Sequence, residues 1–219
     1  MTARLPTVLV TGFEPFGGED ENPSQQIACA LDGAAIAGHR IVAATLPTEF
    51  ARVAAELDAL IARHRPVLVL AVGQAGSRAE ISLERVAINL IDARIADNAG
   101  AQPVDVPVVA GAPNAYFSTL PLKAMLRALQ TAGIPAALSH SAGTFVCNQV
   151  FYALAHRLAR GRRKVRGGFI HVPYLPQQAA RRAGAPSLPL ATMIAALRIC
   201  LETALTTHDD LHLAGGATH

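Results

Sequence analysis

Tryptophan is absent from this chain, and charged residues are sparse at 16%. With hydrophobic residues at 51%, that scarcity excludes a disordered chain and leaves a compact globular one with extensive buried surface. Charge of one sign is lacking too: the formal balance is +3, and the one dense basic run, residues 160–166, has no aromatic residue interleaved to stack on bases. Nucleic acid is therefore not an expected partner. No apolar run approaches a membrane span, and the short one at residues 8–10 is also too short for a secretory signal core, so a cytoplasmic location is expected. Cysteine is scarce and odd in number. Three residues do not make a disulfide framework; they suit a reducing compartment and leave at least one thiol free to react.

What is present is alternation. Residues 7–11 form a continuous apolar, β-branched run ended by Gly12, which fits a strand buried on both faces. A Gly-rich loop follows, then Pro23 at a first helical turn and a stripe of Ile27, Ala30 and Leu31 that stops near Gly33. The order recurs, with a strand at 41–46, an amphipathic helix at 49–64 and a second buried strand at 67–72. Helices are expected at 121–132, 146–158 and 189–206, and strands at 136–139 and 168–172. The stretch 81–95 is strand-like but runs into turn residues at Asp97, Asn98 and Gly100, so a hairpin or antiparallel edge is expected there. The pattern implies a single α/β domain, three-layer α/β/α, with a mixed, mainly parallel twisted sheet over residues 1–208 and a mobile tail at 209–219. Residues 100–113 are irregular and rich in Pro and Gly, a length at which loops often serve function.

Cys147 stands just before a helical pattern, where a helix N-terminus favours the thiolate; a free thiol, titrating at about 8.5, needs such help. Cys29 and Cys200 lie inside apolar helical patterns and read as small buried hydrophobes. A base is needed beside the thiol. His171 and His140 both end strands, where open α/β sheets carry their sites, and spacing does not separate them. The other six histidines read as surface residues, although His208 and His212 would share a helical face suited to a metal if the last helix continued that far. The loop from Gly12 to Gly18 has the glycine spacing of a phosphate cradle, but the required lysine is absent and Gly18-Glu19 stands instead, an acidic follow-on that repels phosphate. Its two rings, Phe13 and Phe16, suggest instead an apolar pocket beside a site, or simple packing on the next helix.

Several segments together resemble the pyroglutamyl peptidase I family over nearly the whole chain, from Val8 to about Thr206. They are residues 11–17 with Asn22, Pro23 and Ser24; Gly73, Gln74, Ala75 and Gly76 leading into residues 81–89, which resemble the family's glutamate signature; residues 92–95 with Asp97 and Asn98; residues 116–121; residues 141–148, which resemble the cysteine signature; and residues 168–173. Leu83 and Ala96 depart from it, standing where many relatives carry proline. The resemblance implies a cofactor-independent cysteine peptidase that hydrolyses the bond after an N-terminal pyroglutamyl residue through a thioester. Cys147 would be the nucleophile, His171 the base and Glu84 the residue that orients the histidine, unless Glu84 merely pairs with Arg85 or Arg94. Phe13, Phe16 and Phe145 would enclose the flat lactam, Gln74 would read its amide, and Arg94 would assist the oxyanion or order the site. A homo-oligomer, a homotetramer in the family, is implied as well. Two rival readings remain on fold alone, a nucleoside phosphorylase or hydrolase and a non-catalytic module that grips amides.

Overall fold

The computed structural model describes residues 5–216. Strand β1 (Thr7–Phe13) is followed by α1 (Pro23–Leu31), and the junction is built by local chemistry. Asn22 caps the helix by accepting the Ser24 N–H at 3.0 Å, and Pro23 occupies the first helical position, where its missing N–H has no partner to lose. Gly12 is required here, since a Cβ would lie 2.2 Å from the Ser24 carbonyl oxygen. The chain continues through β2 (Ala35–Ile36), β3 (His39–Leu46), α2 (Val53–His64) and β4 (Leu68–Gln74). Helix α2 begins later than its apolar pattern suggests, because the Glu49 carbonyl accepts from both Arg52 and Val53 in a separate turn. Next come β5 (Ile81–Glu84), β6 (Val86–Ile88), β7 (Ala115–Phe117), α3 (Leu122–Thr131), β8 (Ala136–Ser139) and α4 (Val146–Arg160). The last elements are β9 (Arg166–Val172), the short α5 (Pro176–Ala179) and α6 (Leu190–Thr206).

Seven strands form one sheet in the order β2-β3-β1-β4-β9-β5-β8. Strands β3, β1, β4 and β9 are parallel, whereas β5 runs antiparallel to β9 and carries β8 parallel to itself. The mixed, mainly parallel sheet is thus as expected, but residues 81–95 are not one edge hairpin. All four residues of β5 are buried, and it lies inside the sheet with a partner on each side. The chain then leaves the sheet. Strand β6 pairs with β7 in a separate two-stranded ribbon, and Ile91 makes an isolated bridge to Val106.

Two asparagines give the irregular segment its shape. Asn89 accepts from the Val109 N–H and donates to the Val109 and Ala112 carbonyls, while Asn148 bridges the Ile88 N–H and the Ile88 and Leu90 carbonyls. Side-chain amides here do what a ladder does elsewhere.

Helices α1, α3 and α6 cover one face of the sheet over an aliphatic core that includes Leu70, Val72, Leu83, Met125, Ile170, Leu197 and Leu201. Helix α6 turns Met193, Ala196, Leu197, Cys200, Leu201 and Ala204 inward, a helical period that buries side chains worth roughly 1.5–3 kcal/mol each for the larger ones. Helices α2 and α4 cover the other face, over a core containing Phe13, Phe50, Phe151, Tyr152 and Phe169. Beyond α6, Asp210 accepts from the Lys123 and Ala124 N–H groups at 3.1 and 2.9 Å, so part of the segment expected to be mobile lies on the start of α3. His219 falls outside the described residues. Helix α6 ends at Thr206, so His208 and His212 do not share a helical face.

Candidate active site

Period 2 along the strands brings the chemistry to the aromatic face. Gly73 on β4 is directly paired with His171 on β9, and Ser82 on β5 is paired with His171 on the other side. Because β5 runs the opposite way, Glu84 lies two residues deeper in the sheet, opposite Phe169. From there its Oε1 receives the His171 Nδ1–H at 2.8 Å, with both side chains buried. A carboxylate only accepts, so Nδ1 carries the proton and the Nε2 of a neutral ring keeps a free lone pair. Phe169 backs the imidazole, with ring centroids 4.8 Å apart.

Cys147 is the second residue of α4, whose N-cap is Phe145. The first N–H groups of a helix have no partner within it, which leaves donors at the site. Its sulfur is directed at Gly73: a Cβ there would lie 2.9 Å from Cys147 Sγ and 2.8 Å from the Phe169 ring. The absent side chain of Gly73 is therefore the space that the thiol occupies, beside the strand position of His171.

The electrostatics differ from the sequence expectation. Burial, with the Glu84 charge adding to it, pushes the Cys147 thiol up to about 12, against smaller lowering effects from Arg78 and the backbone N–H of Cys147. Burial also pulls His171 below the usual histidine value, more than Glu84 raises it. Both shifts favour the uncharged forms of the thiol and the imidazole, the opposite of the thiolate that the helix N-terminus alone suggested.

His140 is exposed beyond the end of β8, whereas His171 is buried and bonded to Glu84. Glu84 pairs with neither Arg85 nor Arg94 among the described residues. Its partner is Arg78, a residue without signal in the sequence, which donates to the same Oε1 at 2.5 Å and to the Ser141 carbonyl at 2.7 Å.

Phe16 and Phe145 meet at the mouth of the site, 6.0 Å between centroids, and Phe50 packs edge-on against Phe145 at 5.1 Å. Phe50 went unread because it lies in the turn before α2. It is fixed by bonds from its N–H to Asp97 and from the Gln149 amide to its carbonyl. Phe13, expected to be exposed beside the pocket, is buried, and its ring packs on Phe169. Gln74 follows Gly73 on the strand and so faces the other side of the sheet, and its amide oxygen accepts from Gln178. Arg94 is exposed, on a segment tied to the cysteine loop through Asp92 and Thr144. The Gly12–Gly18 loop does not read as a phosphate cradle: it carries Glu14, whose carboxylate accepts from the Thr48 N–H and the Asn98 amide outside the loop. Cys29, expected to be buried, is exposed, whereas Cys200 is buried.

Comparison with known proteins gives a consistent answer. The family model described as pyroglutamyl peptidase matches residues 6–207. Pyrrolidone-carboxylate peptidase 1 of Ralstonia nicotianae is 56% identical over 98% of this chain and all of its own length. The pyrrolidone-carboxylate peptidase of Cupriavidus taiwanensis is 57% identical with the same coverage. Among solved structures, pyroglutamyl peptidase I of Bacillus amyloliquefaciens superimposes with a TM-score of 0.93 at 46% identity, covering 96% of this chain and all of that one. A mutant pyrrolidone carboxyl peptidase of Pyrococcus furiosus gives 0.89 at 43%, covering 91% and 98%.

Proposed function

The chain belongs to the pyroglutamyl peptidase family, and from that premise we propose that it removes N-terminal pyroglutamyl residues from peptides through a thioester on Cys147. One observation supports the roles most directly: the His171 Nδ1–H is held by buried Glu84 at 2.8 Å, while the Cys147 sulfur is directed at the glycine paired with His171.

In this reading His171 Nε2 takes the thiol proton as Sγ attacks the carbonyl carbon that joins pyroglutamate to the next residue. Burial, which disfavours the charged form of both groups, favours proton transfer concerted with attack over a preformed ion pair. The N–H groups at the start of α4 receive the oxyanion, with Arg94 assisting or ordering that end of the site. The intermediate collapses, the C–N bond breaks, and His171 returns the proton to the departing amine. Water then attacks the thioester with His171 again as base, which releases pyroglutamate and the thiol. Glu84 holds the ring in the tautomer required and stabilises the imidazolium while it lasts.

Specificity follows from the same geometry. Phe16 and Phe145, backed by Phe50, offer flat apolar surface to an uncharged ring, with Phe13 as support behind; Gln74, turned to the other side of the sheet and bonded to Gln178, is not among the groups that read the lactam. A charged amino terminus would lose its hydration there without a counter-charge. The reading includes a cytoplasmic homo-oligomer, a homotetramer as the family resemblance implies. The free cysteines suit a reducing compartment, and exposed Phe117 offers apolar contact area.

The test is hydrolysis of a pyroglutamyl amide with a fluorescent leaving group. Cys147→Ala is expected to lose activity by about 10⁴-fold or more with the fold intact by circular dichroism. Full activity in that variant overturns the mechanism.

A further inference from the structure

The pairing of Glu84 with His171 poses a charge problem. Glu84 is fully buried, and a carboxylate at such a position is costly unless a positive charge or several donors compensate it. If His171 were its only partner, the simplest compensation would be a second proton on the imidazole. That proton would occupy Nε2 and remove the lone pair that a base requires.

Arg78 offers another solution. It lies between β4 and β5, its side chain is 27% exposed, and its Nη1 donates to the same Oε1 that receives the His171 proton. Oε2 is buried and has no hydrogen-bond partner among the described residues, so compensation converges on one oxygen. The second amino group, Nη2, donates to the carbonyl of Ser141, in the loop that leads into Cys147. One planar cation thus joins the orienting carboxylate to the segment that delivers the nucleophile.

We propose that Arg78 is a positioning residue of this site: its fixed charge neutralises Glu84 in place of a proton on His171, and its second bond holds the Ser141 turn that aims Cys147. The inference rests on the catalytic reading of Cys147, His171 and Glu84. It goes beyond that reading because it assigns the protonation state of the base to a residue outside the three catalytic roles.

The charged groups acting on His171 are Glu84 from β5 and Arg78 from the preceding loop; α4 contributes the Cys147 thiol, and β4 contributes only Gly73. Arg78 lowers the proton affinity of the imidazole and that of the thiol, although burial dominates both. Removing its charge therefore raises both, and the sign for activity follows. A base must be neutral to act, so the acid limb of kcat/KM moves to higher pH, and the alkaline limb set by the thiol moves the same way.

The experiment is the pH profile of pyroglutamyl amide hydrolysis for the wild type, Arg78→Met and Arg78→Lys. In the wild type the acid limb is expected below the ordinary histidine value of about 6.5. Arg78→Met is expected to lower kcat about tenfold or more, change KM by less than about twofold, and move the acid limb to higher pH. Arg78→Lys, which keeps the charge but not the fork, should return the limb to its wild-type place with kcat only partly restored. A limb that does not move in folded Arg78→Met overturns the proposal, as does a loss confined to KM. Should Arg78→Met not fold, Arg78→Gln carries the same test, because it can still donate to Ser141; if neither folds, Arg78 is a structural tether and the proposal fails. Cys147→Ala, run alongside, separates the two levels. Activity there strikes the catalytic reading itself, whereas a dead Cys147→Ala with unmoved limbs strikes only Arg78.

Discussion

Cys147 and Cys200 lie on opposite faces of one sheet, and burial raises the proton affinity of both thiols. Around Cys200 on α6 are Met193, Ala196, Leu197 and Leu201, and burial alone acts on it. Around Cys147 are an imidazole, a carboxylate and a guanidinium joined through one oxygen. The contrast teaches that burial, which raises the proton affinity of both thiols, does not by itself tell a candidate nucleophile from a core residue. What Cys147 has is a destination for its proton. The two faces differ in the same sense. The aliphatic core is without aromatic rings, whereas Phe13, Phe50, Phe151, Phe169 and Tyr152 all belong to the other. Large flat side chains there brace a site in which donors and acceptors must not shift.

Three substitutions probe that contrast, beginning with the largest effect. Glu84→Gln keeps the shape but no longer enforces which ring nitrogen carries the proton; a loss in kcat of about 10³–10⁴-fold is expected, with KM little changed, by steady-state kinetics. A loss of less than tenfold would break the contrast, because the polar face would then owe nothing to its carboxylate. Gly73→Ala places a methyl where Sγ and the Phe169 ring lie, and displacing the sulfur by about 1 Å is expected to reduce kcat about 100-fold. A crystal structure of that variant should show the thiol moved. On the aliphatic face, Leu197→Ala is expected to lower stability by about 2–5 kcal/mol in urea unfolding. The folded fraction should keep its kcat, and a change there would mean that the two faces are coupled.

Much of this was legible from residue order. Buried apolar runs announced β1 and β4, a strand was expected at 168–172 where β9 lies, and a thiol before a helical pattern announced the start of α4. The interior position of β5 was not, because period 2 says which residues share a face and nothing about which distant strand lies alongside. Cys29 was misjudged through helical phase: Ser24, Ile27, Ala28 and Leu31 of α1 point inward, which turns Cys29 outward in a segment of apolar composition. His140 and His171 were indistinguishable until one proved exposed and the other buried against Glu84. Arg78 carried no signal, since a charged residue between Ser77 and Ala79 in a turn reads like any solvated one.

The contact of Asp210 with α3 has a bearing on how this chain can be handled. Helix α3 begins after Pro121, which provides no side-chain cap, and its first turn holds no acidic residue. The carboxylate that answers its free N–H groups arrives from nearly ninety positions later in the chain. A fusion partner or affinity tag joined at the carboxyl end is therefore attached within about ten residues of a brace of the aliphatic face. An expression boundary drawn at residue 208 would discard that brace along with the apparent tail.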